Sequence, residues 1–179
     1  MPGIPSSSRV LWTELFDSTL AADAAAIDSG AGGFATSLDH LLILVLARTD
    51  EAAVFSTAVL TLNGDAAGNY DRQVHLARNV TASAAVAAAA SNLGLPCPGA
   101  SVAATVFGAH IYFVPAYAQT VAQKVILSLS GWSEDTATEQ EMRTTAHRWR
   151  STAAIRCVTV TARAGNLVTG SRLTVYGIG

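Results

Sequence analysis

Short apolar or alternating runs, about 6 to 12 residues each and cut by Gly, Asn, Asp and Pro, recur along this chain, and such spacing belongs to strands and turns. The clearest is Val121 to Trp132. Val121, Val125, Leu127 and Leu129 share one face and Lys124, Ser128 and Ser130 the other, the period of an extended strand with one wetted side. Leu41–Ala47 and Val102–Val114 are apolar on both faces, the second through Phe107, Ile111 and Phe113 on one side and Val106, Tyr112 and Val114 on the other. Both are expected at the centre of a sheet or beneath a neighbouring subunit.

Ile155–Arg163 and Leu173–Ile178 are rich in Val and Thr and are expected to pair across Gly165-Asn166 and Gly170, ending the chain inside a sheet. Val54–Leu62 runs into Asn63-Gly64-Asp65, a strong hairpin signal because Asn-Gly supplies the positive φ values of a tight turn; the second strand is expected over Tyr70–Ala77. Two segments resist a strand reading. Thr81–Ser91 is alanine-rich enough for a short helix or a slack loop. Ser133–Arg148 is polar, has Glu139 and Arg143 at helical spacing, and reads as a long surface excursion.

Eight or more strands in 179 residues point to an all-β fold, an antiparallel two-sheet sandwich of jelly-roll type with at most one or two short helices. Residues 1–9 read as an N-terminal arm and 10–179 as one domain, since no repeat or linker divides them. The arm lacks the basic start and apolar stretch of a secretion signal. A chain of 18.5 kDa buries about 69% of its unfolded surface, enough for a real core. Hydrophobic residues make up 50% and the mean hydropathy is +0.35, which excludes disorder. The longest apolar runs, Leu41–Ala47 and Ala84–Ala90, fall far short of the ~20 residues of a membrane-spanning helix.

Charge is sparse, 13% of residues against about 25% in an average soluble domain. So few charges suit a surface covered by other chains, although a codon bias toward Ala, Gly and Arg, with Lys124 the only lysine, produces the same composition. Residues 1–71 hold nine acids and two arginines, and the remainder holds nine bases and four acids. That polarity fits a subunit docking an acidic face on a neighbour's basic one, or ion pairing within one fold. Cys97 and Cys157 set no disulfide framework.

Catalytic motifs are missing: there is no Gly-x-Ser-x-Gly elbow, phosphate loop, dinucleotide fingerprint or His-Glu-x-x-His. His40, His75, His110 and His147 lie apart from any second ligand at metal spacing, so neither enzyme, cofactor nor metal is expected. Asn63, Asp65, Asn69 and Asp71 form an oxygen-rich exposed loop, whose composition turn chemistry explains without an ion. Trp132, Tyr112 and Tyr117 suit a β core. Trp149, between Arg148 and Arg150, is the candidate exposed anchor, and with Arg9 and Arg143 these residues make up the expected interface. The irregular arginine spacing does not read as a nucleic-acid surface.

Leu62-Asn63-Gly64-Asp65 through Asn69-Tyr70-Asp71, then Trp149-Arg150-Ser151-Thr152-Ala153-Ala154-Ile155 through Gly165-Asn166, Gly170-Ser171 and Leu173-Thr174-Val175-Tyr176-Gly177, resemble a widespread group of small virion proteins of tailed bacteriophages. The step at His40-Leu41 and Val114-Pro115-Ala116-Tyr117 follows the same order, while Pro96-Cys97-Pro98-Gly99 and the stretch 134–148 depart from it. The resemblance implies a β-sandwich structural part of the particle. Joined to the sparse charge, it leads to a capsid decoration (cement) protein, a homotrimer on the outer capsid surface that bridges subunits of the major capsid protein. Neither nucleic acid nor membrane is an expected partner. The alternative is a tail-fibre or receptor-binding module, located on the virion tail, whose loops 63–71 and 133–148 meet host glycans.

Overall fold

The computed structural model describes residues 11–30, 32–134 and 139–179. The arm expected at 1–9, including Arg9, lies outside them. Among the described residues there are twelve strands: β1 (Trp12–Thr19), β2 (Ala26–Asp28), β3 (His40–Ala47), β4 (Phe55–Leu62), β5 (Tyr70–Arg78), β6 (Thr81–Ala90), β7 (Leu93–Pro98), β8 (Gly108–Pro115), β9 (Lys124–Ser133), β10 (Gln140–Trp149), β11 (Val158–Ala162) and β12 (Arg172–Ile178). They form two antiparallel sheets, ordered β1-β12-β3-β8-β9-β10-β5-β6 and β2-β11-β4-β7. The all-β sandwich is therefore as expected, and no helix occurs among the described residues. None is present there that could cross a membrane.

With β5–β6 and β9–β10 set aside, successive strands alternate between the sheets except at the central β4–β7 turn, and β4 with β7, β3 with β8, β2 with β11 and β1 with β12 pair as nested partners. That is the connectivity of one long hairpin rolled into two sheets, a jelly roll. The two remaining hairpins join each other through β5 and β10 and extend one sheet to eight strands. The larger sheet consequently overhangs the smaller, whose edge strand β7 lies over β8 and β9.

Alternation builds the core between the sheets. Leu41, Ile43, Val45 and Ala47 of β3 point inward toward Ala58, Leu60 and Leu62 of β4, together with Val158 and Val160 of β11 and Leu173 and Val175 of β12. Each buried branched side chain of this kind contributes about 1.5–3 kcal/mol. Below them Arg48 is buried as well. Its guanidinium donates to the carbonyls of Val102 (2.7 Å) and Ala103 (2.8 Å), which holds down the connection before β8.

Several expected elements differ. Thr81–Ala90 is a strand, because ladder bonds to β5 over-ride alanine's helical preference. Gln140–Trp149 is a strand inside the large sheet and not a surface excursion, and Arg143 faces Glu141 instead of a helical partner at Glu139. Asn63 and Gly64 take the positive φ values expected of them (53° and 68°), yet the strands they join do not pair. β4 already has β7 and β11 beside it, so the turn carries the chain from one sheet to the other. For the same reason β11 and β12 lie in different sheets, while β12 ends the chain between β1 and β3 as expected.

Candidate functional site

The inner and outer faces of β9 are the reverse of what its polarity suggests. Lys124, Ser128 and Ser130 are 1%, 7% and 4% exposed, whereas Val125, Leu127 and Leu129 are 50%, 54% and 50% exposed. Most of the buried side is satisfied from within, Trp132 Nε1 being the exception. Lys124 Nζ donates to the carbonyls of Gln119 (2.6 Å), Thr152 (3.1 Å) and Ala122 (3.2 Å), and Ser128 Oγ lies 3.0 Å from His147 Nε2. Paired polar groups can be buried at small net cost, so nothing forces the leucines inward.

Outside, the apolar residues run on across neighbouring strands. Leu44 of β3 stands opposite Ile111 of β8, which stands opposite Leu129 of β9. In the next row Leu42, Phe113 and Leu127 are aligned, and beside them Ala109, Gly131 and Met142. The missing side chain at Gly131 helps leave a dent of ≈ 270 Å³ between Ile111, Leu129 and Met142. Among the described residues this four-strand stripe carries no charge at its centre. A contiguous apolar area on a sheet face marks a surface that another molecule covers.

At one end of the stripe sit Arg148, Trp149 and Arg150 of the expected interface, differently arranged. Trp149 is not an exposed anchor: it is 2% exposed, stacked on Tyr70 (centroids 6.5 Å apart), and its Nε1 donates to Asp65 Oδ2 at 2.7 Å. As an odd-numbered position of β10 it points inward, where the sandwich closes over it. Arg148 and Arg150 are exposed but both clamp Asp71, whose two oxygens receive their guanidinium groups at 2.5–3.1 Å. Those hydrogen bonds, Arg150's foremost, hold the Asp71 carboxyl well below the usual carboxylate range. Arg143 points inward onto Glu141, which Arg78 also grips at 2.6 Å.

The four loop residues expected to be exposed are half-buried and tied by hydrogen bonds. Asn63 Oδ1 accepts from the backbone of Arg156 (2.7 Å) and Cys157, and its Nδ2 donates to Ala154 O. Asp65 accepts from Ala67, Asn69 and Trp149, and the Tyr70 hydroxyl donates to its carbonyl while accepting from Leu62 N–H. Burial pushes the Asp65 carboxyl up, but the bonds from Trp149, Asn69 and Ala67 together outweigh it and leave its pKa lowered. The two segments that carried the sequence resemblance thus form one latch, 63–71 against 148–157. Among the described residues no three His, Cys, Asp or Glu side chains gather as metal ligands.

Beneath the stripe lies a polar layer that the sequence did not announce. His110 and His147 are 2% and 4% exposed, and burial, with Arg143 and Arg72 respectively nearby, pushes their pKa values down to about 3 and about 4. Cys97 is also buried and its thiol is pushed up to about 12; it and Cys157 are both unbonded. No side chain of this layer is open enough to serve an outside molecule, which leaves the outer face as the candidate site. No protein-family model, curated protein or solved structure matches this chain.

Proposed function

We propose that this protein is a structural component of a tailed-bacteriophage virion, a capsid decoration protein that binds the outer surface of the head and bridges subunits of the major capsid protein. The observation that carries the reading is the uncharged stripe of Ile111, Leu127, Leu129 and Met142 on the outside of the large sheet, which only a second surface would shield from water. The jelly roll agrees with it at the level of fold analogy, as this architecture serves in many capsid proteins. The work is binding, without chemistry: apolar area is buried, copies associate as homotrimers, and many identical contacts add avidity along the shell.

The test mixes purified protein with shells that lack it. Wild-type protein co-sediments with the shells, and the Leu127→Ser, Leu129→Ser double variant stays in the supernatant while remaining folded. Gel densitometry of native particles gives hundreds of copies. A count in the low tens, or equal shell binding by the double variant, overturns the reading.

A further inference from the structure

We infer that the free edge of β6 is a self-association site, on which a second copy of this chain adds its own β6 in antiparallel order, so that two large sheets become one. Among the described residues β6 pairs with β5 on one side and with nothing on the other. Its ten residues, Thr81 to Ala90, include no charge and no proline, and eight of them are exposed. Free edges of this kind template added strands, and folded proteins ordinarily guard them with charge, bulges or cover. The opposite edge of the same sheet is guarded: β1 carries Glu14, the Asp17–Arg172 ion pair and a bulge between Glu14 and Phe16. Along β6 the register is regular from Thr81 to Ala87, and its one irregularity lies at the far end.

The occupant is read from β6 itself. Alanine fills seven of its ten positions and dominates both faces, so a second β6 meets neither bulk nor like charge, and the strand complements its own reverse. The ends differ electrically. Near Ala90, Asp71 Oδ1 accepts from Ala89 N–H and holds Arg148 and Arg150, a surplus of positive charge. Near Thr81, Asn79 exchanges hydrogen bonds with Gln140 beside Glu139 and Glu134, beyond the inward-turned Arg78, Glu141 and Arg143. Antiparallel order sets the basic end of one copy beside the acidic end of the other.

A two-fold axis normal to the sheet keeps both outer faces on one side. Val86, on the side of Leu127 and Ala146, then lies within a doubled apolar surface. Directly opposed residues must share a face, so the axis passes midway between one residue and its own mate, and the length of β6 places that residue within Ala84–Val86. The isolated chain suffices for this pairing, which is a two-fold contact distinct from the three-fold association proposed above.

Single cysteines placed at Ala84, Ala85 and Val86, in a Cys157→Ser background with Cys97 left buried, test it by mild oxidation. One of the three should give covalent dimers, since directly opposed side chains lie about 4.5–5.5 Å apart. Ala82→Cys, roughly 12–27 Å from its own mate depending on the centre, should not. The paired variant Ser83→Lys, Ala85→Lys, on the face of β6 turned away from the apolar stripe, should sediment as a smaller species than wild type with an unchanged melting transition. Equal crosslinking at Ala82 and at the centre, or identical sedimentation of wild type and the lysine variant, overturns the inference. Shell binding by the lysine variant separates the two proposals: retained binding with lost pairing confirms that the edge and the outer face act independently.

Discussion

Trp149 Nε1 donates to Asp65 Oδ2 at 2.7 Å, joining the end of β10 to a loop 84 residues away in sequence. The bond sits where the chain crosses between sheets, beside the stacked Tyr70. Trp149→Phe keeps the ring and removes the donor, and it is expected to cost about 1.5–3 kcal/mol in urea unfolding, the range for a hydrogen bond to a charged group. Asp65 has its pKa lowered in the folded protein, so its contribution is present above the unfolded carboxyl value and is lost as pH falls through the folded one. The difference between Trp149→Phe and wild type should therefore shrink at acid pH.

Lys124 offers a second test because it is the chain's only lysine and is 1% exposed. An amine-directed reagent should leave its side chain unmodified in native protein and label it on unfolding, which peptide mass spectrometry reads directly. Lys124→Met should destabilise by about 1–3 kcal/mol, as the carbonyls of Gln119, Ala122 and Thr152 lose a shared donor.

The buried histidines set a pH dependence. Unfolded, His110 and His147 titrate near ~6.5. Folded, they do so at about 3 and about 4. The unfolded chain thus binds more protons below the upper value, and stability is full above it and falls as pH drops toward the lower ones. Each histidine adds at most about 1.4 kcal/mol per pH unit to that slope. Stability measured by urea at pH 7 and pH 5 should fall less for His110→Gln than for wild type, and an unchanged slope would show the imidazole to be solvated.

Opposite faces of β9 should respond in opposite senses to polarity. Leu129→Ser, on the outside, should alter stability by no more than about 0.5 kcal/mol in the isolated chain. Ser128→Leu, on the inside, should cost about 1–3 kcal/mol by overpacking and by depriving His147 Nε2 of its partner. Thermal melting of the two variants distinguishes this arrangement from one in which the serines are wetted.

Much of the architecture was legible. Alternation marked β9, runs apolar on both faces marked β3 and β8, Val and Thr marked β11 and β12, and the turn residues between them implied a sandwich. The interface set was less so. Trp149 between two arginines has the composition of an exposed hot spot, but its neighbours on β10 point to the other face of the sheet, and Asp65, distant in sequence, draws the indole inward. The seven alanines of 82–90 carry a helical propensity of a few tenths of a kcal/mol each, which one strand of ladder bonds to β5 outweighs.

The order of side chains along each strand determined the period, and thus which residues share a face, because adjacent residues of an extended chain must point oppositely. Tertiary structure alone decided which face is inside. That choice depends on the groups waiting across the gap: carbonyls for Lys124, an imidazole for Ser128, a carboxylate for Trp149. The same division holds at Asn63-Gly64, where local sterics set the bend and the partners of β4 set where it leads.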